Sequence, residues 1–411
     1  MAVIRPFCAV RPAVEYADKV AALPYDVYNR AEAKKEVERE PLSFLAIDRA
    51  ETQFEDSVSV YAPEVYAKAK ELFEERISQG IFVEDKQSAY YIYQLEMNGR
   101  TQTGIAACAS VDDYLDGTIK KHENTREEKE QDRIRHVDTL SAQTGPIFLA
   151  YRSQATINQL VSKIMETQEP LYDFVAADGI AHRMWKVTEE AVTTLQEAFA
   201  GIQEIYIADG HHRAASAVKV GLKRRKEHPD YDGTEEFNYF LSVLFPDDQL
   251  MIMDYNRCVK DLHGLTKEAF LKAVEECFDV TVLDGAKHPQ AKGQITMYLE
   301  NRWYLLQAKQ ELLAISDPVA ALDVSLLQEY LLKPVLGIED PRTDERIDFI
   351  GGIRGLEELE RRVKTDMTVA FAMYPTSIGE LFAVADAGLL MPPKSTWFEP
   401  KLRSGLLMHR I

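Results

Sequence analysis

The stretch Ile205-Tyr206-Ile207-Ala208-Asp209-Gly210-His211-His212-Arg213 gives the strongest local signal in this chain of 411 residues. Its first four residues favour a strand, Asp-Gly favours a tight turn, and the alanine-rich residues that follow favour a helix. A helix N-terminus attracts anions, phosphate above all, because its first N–H groups are unpaired and its dipole is positive there. The glycine lets the backbone approach a ligand closely, and the two histidines and the arginine add three potential cations. The stretch therefore predicts a strand–turn–helix unit that binds an anion.

The overall charge argues against several kinds of partner. The composition is that of an ordinary globular protein, but the net charge is −19, whereas nucleic-acid binders present a basic surface to phosphates. We expect the basic run at residues 223–226 to lie at the C-terminal end of a helix, where cations are favourable. No stretch approaches the roughly 18 apolar residues that cross a bilayer, and the first residues do not form a secretory signal. We therefore expect a cytoplasmic protein that binds neither nucleic acid nor membranes.

The four cysteines, at positions 8, 108, 258 and 277, are scattered without C-x-x-C spacing. This pattern predicts reduced thiols rather than a disulfide framework or a zinc site.

Alternating helix and strand patterns predict an α/β (α+β) fold. The clearest elements are a helix over Pro63–Gly80 and a hairpin of two strands, Tyr90–Met97 and Thr101–Ala109, joined by Asn98-Gly99. The order of strands in a sheet does not follow from these patterns.

The element pattern restarts near Leu262, which predicts a second domain. We expect a phosphate-binding catalytic domain over residues 1–260 and an α/β domain over residues 261–411 that completes or regulates the site.

Two motifs fall in the second domain. The glycine-rich stretch Phe349–Gly355 either approaches a phosphate or packs a helix on a strand. The stretch Met391–Thr396 contains Lys-Ser but has proline where a Walker loop needs glycine, so that we expect a rigid loop presenting a lysine to an anion.

A second candidate site is the polar segment Lys121-His122-Glu123-Asn124-Thr125-Arg126. It is either a solvated helix start or a mobile segment that closes over a charged substrate. The segment does not contain an H-E-x-x-H zinc motif, because arginine stands where the second histidine would be. The adjacent His211 and His212 would also point in different directions, so that we expect no metal site built by the protein alone.

A third candidate is Asp26 in Pro24-Tyr25-Asp26. A carboxylate fixed beside a proline turn can act as a general base toward a hydroxyl nucleophile. The commoner use of aspartate is to cap a helix, here one starting near Tyr28-Asn29. The sequence leaves both interpretations open.

The turn at residues 208–215 resembles the phosphate-binding box of the ParB/sulfiredoxin-like superfamily, and its Asp-Gly-His-His-Arg form looks most like that of the free-serine kinases. The whole chain also resembles a bacterial and archaeal domain-of-unknown-function family, some of whose members look like serine kinases that use pyrophosphate. This second resemblance rests on Pro24–Val27, His122–Thr125, Asp209–Arg213, Tyr255–Arg257 and Pro392–Thr396, among other stretches.

The resemblance implies a ParB/sulfiredoxin-like core and phosphoryl transfer from pyrophosphate or a nucleotide to the hydroxyl of free L-serine. Asp26 would take the hydroxyl proton with His212 beside it; because the kinases use a glutamate, Glu15 and Glu32 are rivals. Mg²⁺ would bridge the donor oxygens, since it usually binds through phosphates and one or two carboxylates. The residues implied to hold donor or substrate are Asp209, Gly210, His211, His212, Arg213, Lys121, His122, Glu123, Thr125, Lys394 and Ser395.

Two other functions stay open at this point. One is a nucleotide-binding switch or adaptor like the DNA-partitioning branch of the superfamily, and the other is a metal-dependent hydrolase that uses the histidines. The expected partners are L-serine and a phosphate donor. The sequence leaves open whether the chain forms a homo-oligomer.

Overall fold

The computed structural model describes residues 1–411, which divide into two compact units. The first unit comprises Met1–Leu250 together with Pro400–Ile411, and the second comprises Met251–Glu399. This division differs from the expected one in its boundary and in returning the C-terminal residues to the first unit. The reason is that strand Met408–Arg410 pairs with strand Ala9–Pro12, a contact between residues far apart in sequence. No local pattern indicates such a pairing.

The mixed α/β architecture that the sequence predicts is confirmed, whereas a ParB/sulfiredoxin-like core stays a prediction. The strands are β1 (Ile4–Arg5), β2 (Ala9–Pro12), β3 (Phe82–Glu84), β4 (Tyr91–Met97), β5 (Arg100–Ser110), β6 (Ile119–Lys120), β7 (Ala142–Gln143), β8 (Ile147–Tyr151), β9 (Tyr172–Val175), β10 (Ala181–Lys186), β11 (Ile205–Asp209), β12 (Tyr239–Pro246), β13 (Ile252–Met253), β14 (Tyr255–Val259), β15 (Phe278–Leu283), β16 (Gln294–Leu299), β17 (Arg302–Ala308), β18 (Ile347–Gly351), β19 (Val369–Met373), β20 (Trp397–Phe398) and β21 (Met408–Arg410). The helices are α1 (Ala17–Val20), α2 (Arg30–Arg39), α3 (Leu45–Asp48), α4 (Pro63–Ser78), α5 (Val111–Asp116), α6 (Glu127–Leu140), α7 (Ala155–Thr167), α8 (Glu189–Ala200), α9 (His211–Glu227), α10 (Lys267–Val274), α11 (Gln310–Leu313), α12 (Asp323–Leu327), α13 (Gly355–Thr365) and α14 (Ile378–Asp386).

The first unit is built on a nine-stranded sheet in the order β6-β11-β8-β12-β5-β4-β10-β9, with β1 paired to β5. The β4–β5 hairpin turns at Asn98 (φ 53°) and Gly99 (φ 76°), as the Asn-Gly signal predicts. The apolar faces of α7, α8 and α9 cover one face of this sheet and form its main core with residues such as Ile207 and Leu149. A smaller sheet, in the order β3-β2-β21-β7, completes the unit.

The second unit contains a six-stranded sheet in the order β15-β17-β16-β19-β14-β18, in which every pairing is antiparallel. Helix α13 packs on this sheet through Leu356 and Leu359, next to Ile350 and Ala370 of the strands. The glycine-rich stretch Phe349–Gly355 thus connects strand β18 to helix α13, which packs on the sheet. Strands β13 and β20 form a separate two-stranded ribbon.

Three further expectations can be compared with the structure. The basic run 223–226 ends α9, where Lys223 and Arg224 pair with Asp138 and Arg225 pairs with Asp112. All four cysteines are free thiols, and those at positions 108 and 258 are buried. None of the helices combines the length and the apolar character that crossing a lipid bilayer requires.

Candidate functional site

The topology of the first unit brings three segments to one edge of its large sheet. Strand β6 is parallel to β11, so that the segment 121–126 leaves the sheet on the same side as the turn at Asp209–Arg213. Strand β8 is antiparallel to β11, with Phe148 opposite Asp209, so that the loop 144–146 before β8 lies beside the same turn. The strand–turn–helix unit predicted from the sequence is thus confirmed, and two other polar segments flank it.

The turn itself depends on Gly210. Its φ of +94° lies in the left-handed region, and a Cβ there would stand only 3.0 Å from Nη2 of Arg213. The Gly210 N–H donates to Oδ1 of Asp209 (2.8 Å), and the first helical bond runs from Ala214 N–H to the Gly210 carbonyl (2.9 Å). The N–H groups of residues 211–213 precede that bond and have no partner in the helix. They form the anion-attracting end that the sequence predicts.

Arg213 is oriented by a backbone carbonyl rather than by an acid. Its Nη1 donates to the Pro146 carbonyl at 2.5 Å, and the guanidinium packs over Gly210 and beside Gly145. Because no carboxylate hydrogen-bonds to it, its charge is available to a ligand at the helix N-terminus.

Asp209 is held by a lysine from the C-terminal segment. Nζ of Lys401 lies 3.1 Å from Oδ2 of Asp209. Burial alone would raise the pKa of Asp209, but the charges of Lys401 and Arg213 outweigh burial and hold that pKa well below its usual range. Sequence reasoning missed Lys401, since it lies 192 residues from Asp209 and in no recognisable motif.

The two buried histidines of the site, His211 and His122, face each other edge to face, with ring centroids 4.5 Å apart. The His122 N–H donates to Nε2 of His211 at 3.5 Å, and Nδ1 of His211 faces Oε2 of Glu123 at 3.6 Å. Burial lowers the pKa of His122 to about 4, and burial together with His122 lowers the pKa of His211 well below its usual value. Both rings are therefore neutral at pH 7.

His212 points away from that pair. Its Nε2 accepts a hydrogen bond from the Arg126 N–H at 2.9 Å, which leaves the proton of the neutral ring on Nδ1. Burial and the nearby Lys129 lower its pKa, against the opposing charge of Asp26. Burial and neighbouring cations thus lower the pKa of both histidines at this helix start, which leaves the Arg213 guanidinium as its main source of positive charge.

Asp26 lies in the 3₁₀ turn Tyr25–Val27 and is exposed. It does not cap the following helix: Asn29 caps α2, in a capping box with Glu32. This occupies Glu32, one of the two rival bases, while the other, Glu15, is exposed in the turn Val14–Tyr16. The charge of Asp26 acts on His212, so that the structure brings these two predicted residues together.

A cavity of about 190 Å³ lies next to Asp26. Its wall combines charged side chains of both signs with tyrosine and aliphatic residues. Arg133 stacks on the Tyr25 ring at 4.0 Å and pairs with Asp132 at 2.7 Å, while Arg49 pairs with Glu51 at 2.5 Å. A smaller cavity of about 30 Å³ shares Tyr25 and Arg133 with the first and is also lined by Arg213. The charged cavity is therefore contiguous with the turn at Asp209–Arg213.

The sequence did not predict this cavity as a site. Asp132 and Arg133 stand out only as part of a polar helix, and Asp48 and Arg49 belong to no motif. Asp48 is buried and accepts a hydrogen bond from Thr144 at 3.0 Å. A buried, hydrogen-bonded carboxylate stands out in the structure, whereas the sequence does not show which carboxylates are buried.

The remaining predicted residues are distributed as follows. Lys121 is exposed, with its ammonium 5.0 Å from the Tyr114 ring. Thr125 donates to Glu130 at 2.7 Å, which ties the polar segment to α6. Lys394 and Ser395 belong to the second unit, and their part in holding the donor or substrate stays a prediction.

The Mg²⁺ ion that the resemblance implies stays a prediction. No group of three or more His, Cys, Asp or Glu side chains is arranged to hold an ion. A Mg²⁺ ion would need only one or two carboxylates here, provided that phosphate and water oxygens complete its shell.

Comparison of the sequence with known protein families identifies one match. The family model described as "Protein of unknown function (DUF1015)" matches residues 4–325. No curated protein matches the chain.

Several solved structures are distantly similar. They include a mutant free serine kinase in complex with AMP (14% identity, 74% of this chain and 92% of that one, TM-score 0.36). A conserved hypothetical protein from Pyrococcus furiosus (14% identity, 74% and 94%, TM-score 0.35) and C-terminally truncated SbnI from Staphylococcus aureus (12% identity, 73% and 85%, TM-score 0.39) are similar to the same degree. At TM-scores below 0.5 these likenesses carry no argument about activity.

Proposed function

This chain belongs to the DUF1015 family, and from that premise we propose that it is a small-molecule kinase that transfers a phosphoryl group to the hydroxyl of free L-serine. The donor would be pyrophosphate or a nucleotide. One observation carries the proposal: the anion-binding turn with Arg213 is contiguous with a small cavity that presents both carboxylates and guanidinium groups.

The turn supplies what a phosphate donor needs. Phosphoryl transfer depends on positioning and on cations at the phosphate oxygens, and the protein does little covalent chemistry. The unpaired N–H groups at the start of α9 and the guanidinium of Arg213 would bind the donor. His212, neutral and protonated on Nδ1, would donate one more hydrogen bond.

The ionised Asp209 would repel a phosphate unless its charge is offset. Lys401 provides that offset from the C-terminal segment. Mg²⁺ bound to the donor phosphates would supply further positive charge, with Asp209 as the carboxylate that holds it.

The charged cavity suits a small zwitterion. A cavity of about 150 Å³ accepts a molecule the size of benzene, so that a cavity of about 190 Å³ accommodates serine. Arg49 and Arg133 would bind the substrate carboxylate, while Asp48, Glu51 and Asp132 would bind its ammonium group. Asp26, on the wall of the same cavity, would accept the hydroxyl proton as the nucleophile attacks.

The deciding experiment offers L-serine with Mg²⁺ and, in separate reactions, pyrophosphate, ADP or ATP, and follows O-phosphoserine by phosphorus NMR. Product with one donor and none with L-alanine, which lacks the hydroxyl, would support the proposal and identify the donor. Absence of product with every donor would overturn the kinase and favour a nucleotide-binding switch.

Arg213→Ala and Arg225→Ala form a matched pair for this assay, because both arginines lie on α9 and Arg225 pairs with Asp112 outside the cavity walls. We expect Arg213→Ala to weaken donor binding about 10-fold to 100-fold and Arg225→Ala to leave it unchanged. Equal effects of the two changes would move the donor site elsewhere.

A further inference from the structure

Arg257 in the second unit is a buried cation without an acidic partner. It is 3% exposed, and its guanidinium nitrogens donate to two backbone carbonyls, those of Tyr255 and Lys394. The group also packs over the Phe349 ring at 5.4 Å. Buried charges are normally paired, because removing an isolated charge from water is costly. Burial accordingly lowers the pKa of Arg257 to about 10.

Lys394, whose carbonyl Arg257 binds, has a strained backbone. Its φ of +62° is in the left-handed region, which is unfavourable for a residue with a Cβ. Ser395 Oγ donates to the Pro392 carbonyl at 2.6 Å, and Thr376 Oγ1 donates to the Ser395 carbonyl at 3.0 Å. Such strain persists only where the surroundings fix it, and it is concentrated at functional sites.

The Lys394 side chain is exposed and forms no ion pair. Its ammonium lies 5.4 Å from the centre of the Tyr255 ring, and Tyr255 itself packs edge to face against Trp397 (5.1 Å) and Phe349 (6.1 Å). The nearby carboxylate of Asp254 is buried and accepts a hydrogen bond from Asn256 at 2.6 Å. Two cations thus lie against one aromatic cluster, and neither has a carboxylate partner.

Three stretches that the sequence singles out separately meet here. They are the end of β18 in the glycine-rich motif, the Tyr255–Arg257 stretch of β14, and the proline-rich loop 391–396. Gly351 belongs to this contact, since a Cβ there would stand 3.0 Å from the Trp397 ring. The second unit therefore holds a surface where backbone strain, uncompensated charge and close packing coincide.

We propose that this surface is an anion site of the second unit, which binds a phosphate or pyrophosphate oxyanion through Lys394, with Arg257 fixing the loop and adding positive charge. The site rests on contacts within the second unit alone. It is independent of the kinase proposal, which can fail without affecting it.

Lys394→Asn tests the site without straining the turn. Asparagine tolerates the left-handed region better than lysine does, so that the change removes the charge while the backbone keeps its conformation. The matched control is Lys287→Asn, the same change at an exposed lysine of the same unit. Both changes are made in the full chain carrying Arg213→Ala, so that the turn in the first unit contributes little binding.

The measurement is calorimetric titration with inorganic phosphate and, separately, with pyrophosphate, alongside thermal unfolding. We expect Lys394→Asn to weaken binding about tenfold or more, Lys287→Asn to leave it unchanged, and neither to lower the unfolding temperature. Binding of inorganic phosphate would show that one phosphoryl group suffices, whereas binding of pyrophosphate alone would assign a site for two.

Two results would overturn the proposal. One is unchanged binding in Lys394→Asn, whatever its unfolding temperature, which would make the loop a structural turn only. The other is no binding of either anion to the chain with its lysines intact, both in the Arg213→Ala background and with Arg213 present.

Discussion

Lys401 and Asp209 form an ion pair of 3.1 Å across 192 residues of sequence, and this pair joins the C-terminal segment to the turn before α9. The other oxygen of Asp209 accepts the Gly210 N–H that begins the turn. The lysine thus acts on the carboxylate that shapes the turn. We conclude that the first unit needs residues 400–411 for its site as well as for its sheet.

Lys401→Met is expected to weaken donor binding about tenfold, because it leaves the charge of Asp209 uncompensated next to the phosphates. Donor KM measured in the serine assay is the appropriate readout. Lys401→Arg keeps the charge and should retain most of the affinity. Equal losses in both variants would mean that the side chain acts through its shape and not its charge.

Gly210→Ala is expected to destabilise the first unit by about 1 kcal/mol or more, because alanine is strained at positive φ. The added methyl would also press on the Arg213 guanidinium and impair donor binding. Urea unfolding and donor titration measure the two effects. Gly285→Ala is a suitable control, since a Cβ there meets no atom within 4 Å. Normal donor binding in Gly210→Ala would contradict the role of the close approach.

Asp26→Asn is expected to lower turnover about 10²–10⁴-fold while donor affinity stays the same, as for loss of a general base. Single-turnover rates and donor titration separate the two quantities. Glu15→Gln tests the remaining rival in the same way. Near-normal turnover in Asp26→Asn together with a large loss in Glu15→Gln would transfer the role to Glu15.

Acid should destabilise the protein through its buried histidines. In the unfolded chain His122 takes up a proton at about pH 6.5, whereas in the folded protein it does so only at about 4. The unfolded state therefore binds more protons between these values, and stability falls as the pH is lowered through this window and levels off below it. The loss for this group is on the order of 3 kcal/mol.

The free energy of unfolding, measured in urea at several pH values from 7 to 4, tests this prediction. His122→Asn should show a shallower fall with pH than the unaltered chain, whatever its stability at pH 7. Parallel curves for the two proteins would show that His122 titrates alike in the folded and unfolded states.

Local signals in the sequence predict local structure well here. Asn98-Gly99 indicates the hairpin, Pro63 marks the start of α4, and Asp209-Gly210 marks the turn before α9, because each depends on a few neighbouring residues. The candidate phosphate-binding residues on that turn follow from the same reasoning.

What the sequence does not predict depends on distant contacts. The strand order, the return of residues 400–411 and the role of Lys401 each depend on contacts between residues far apart in the sequence. The lowered pKa values of His211 and His212 do not follow from the sequence for a related reason, since burial is their main cause and burial is a property of the folded chain.

The position of β21 between β2 and β7 has a consequence for biosynthesis. Translation proceeds at about 5–20 residues per second, so that β2 emerges from the ribosome roughly 20–80 s before β21 exists. Throughout that interval the nascent chain exposes an unpaired strand edge at β2, and all residues of the second unit are synthesised before it is covered. Chaperone protection of the growing polypeptide is therefore most needed at Ala9–Pro12, at the opposite end of the message from the strand that finally covers it.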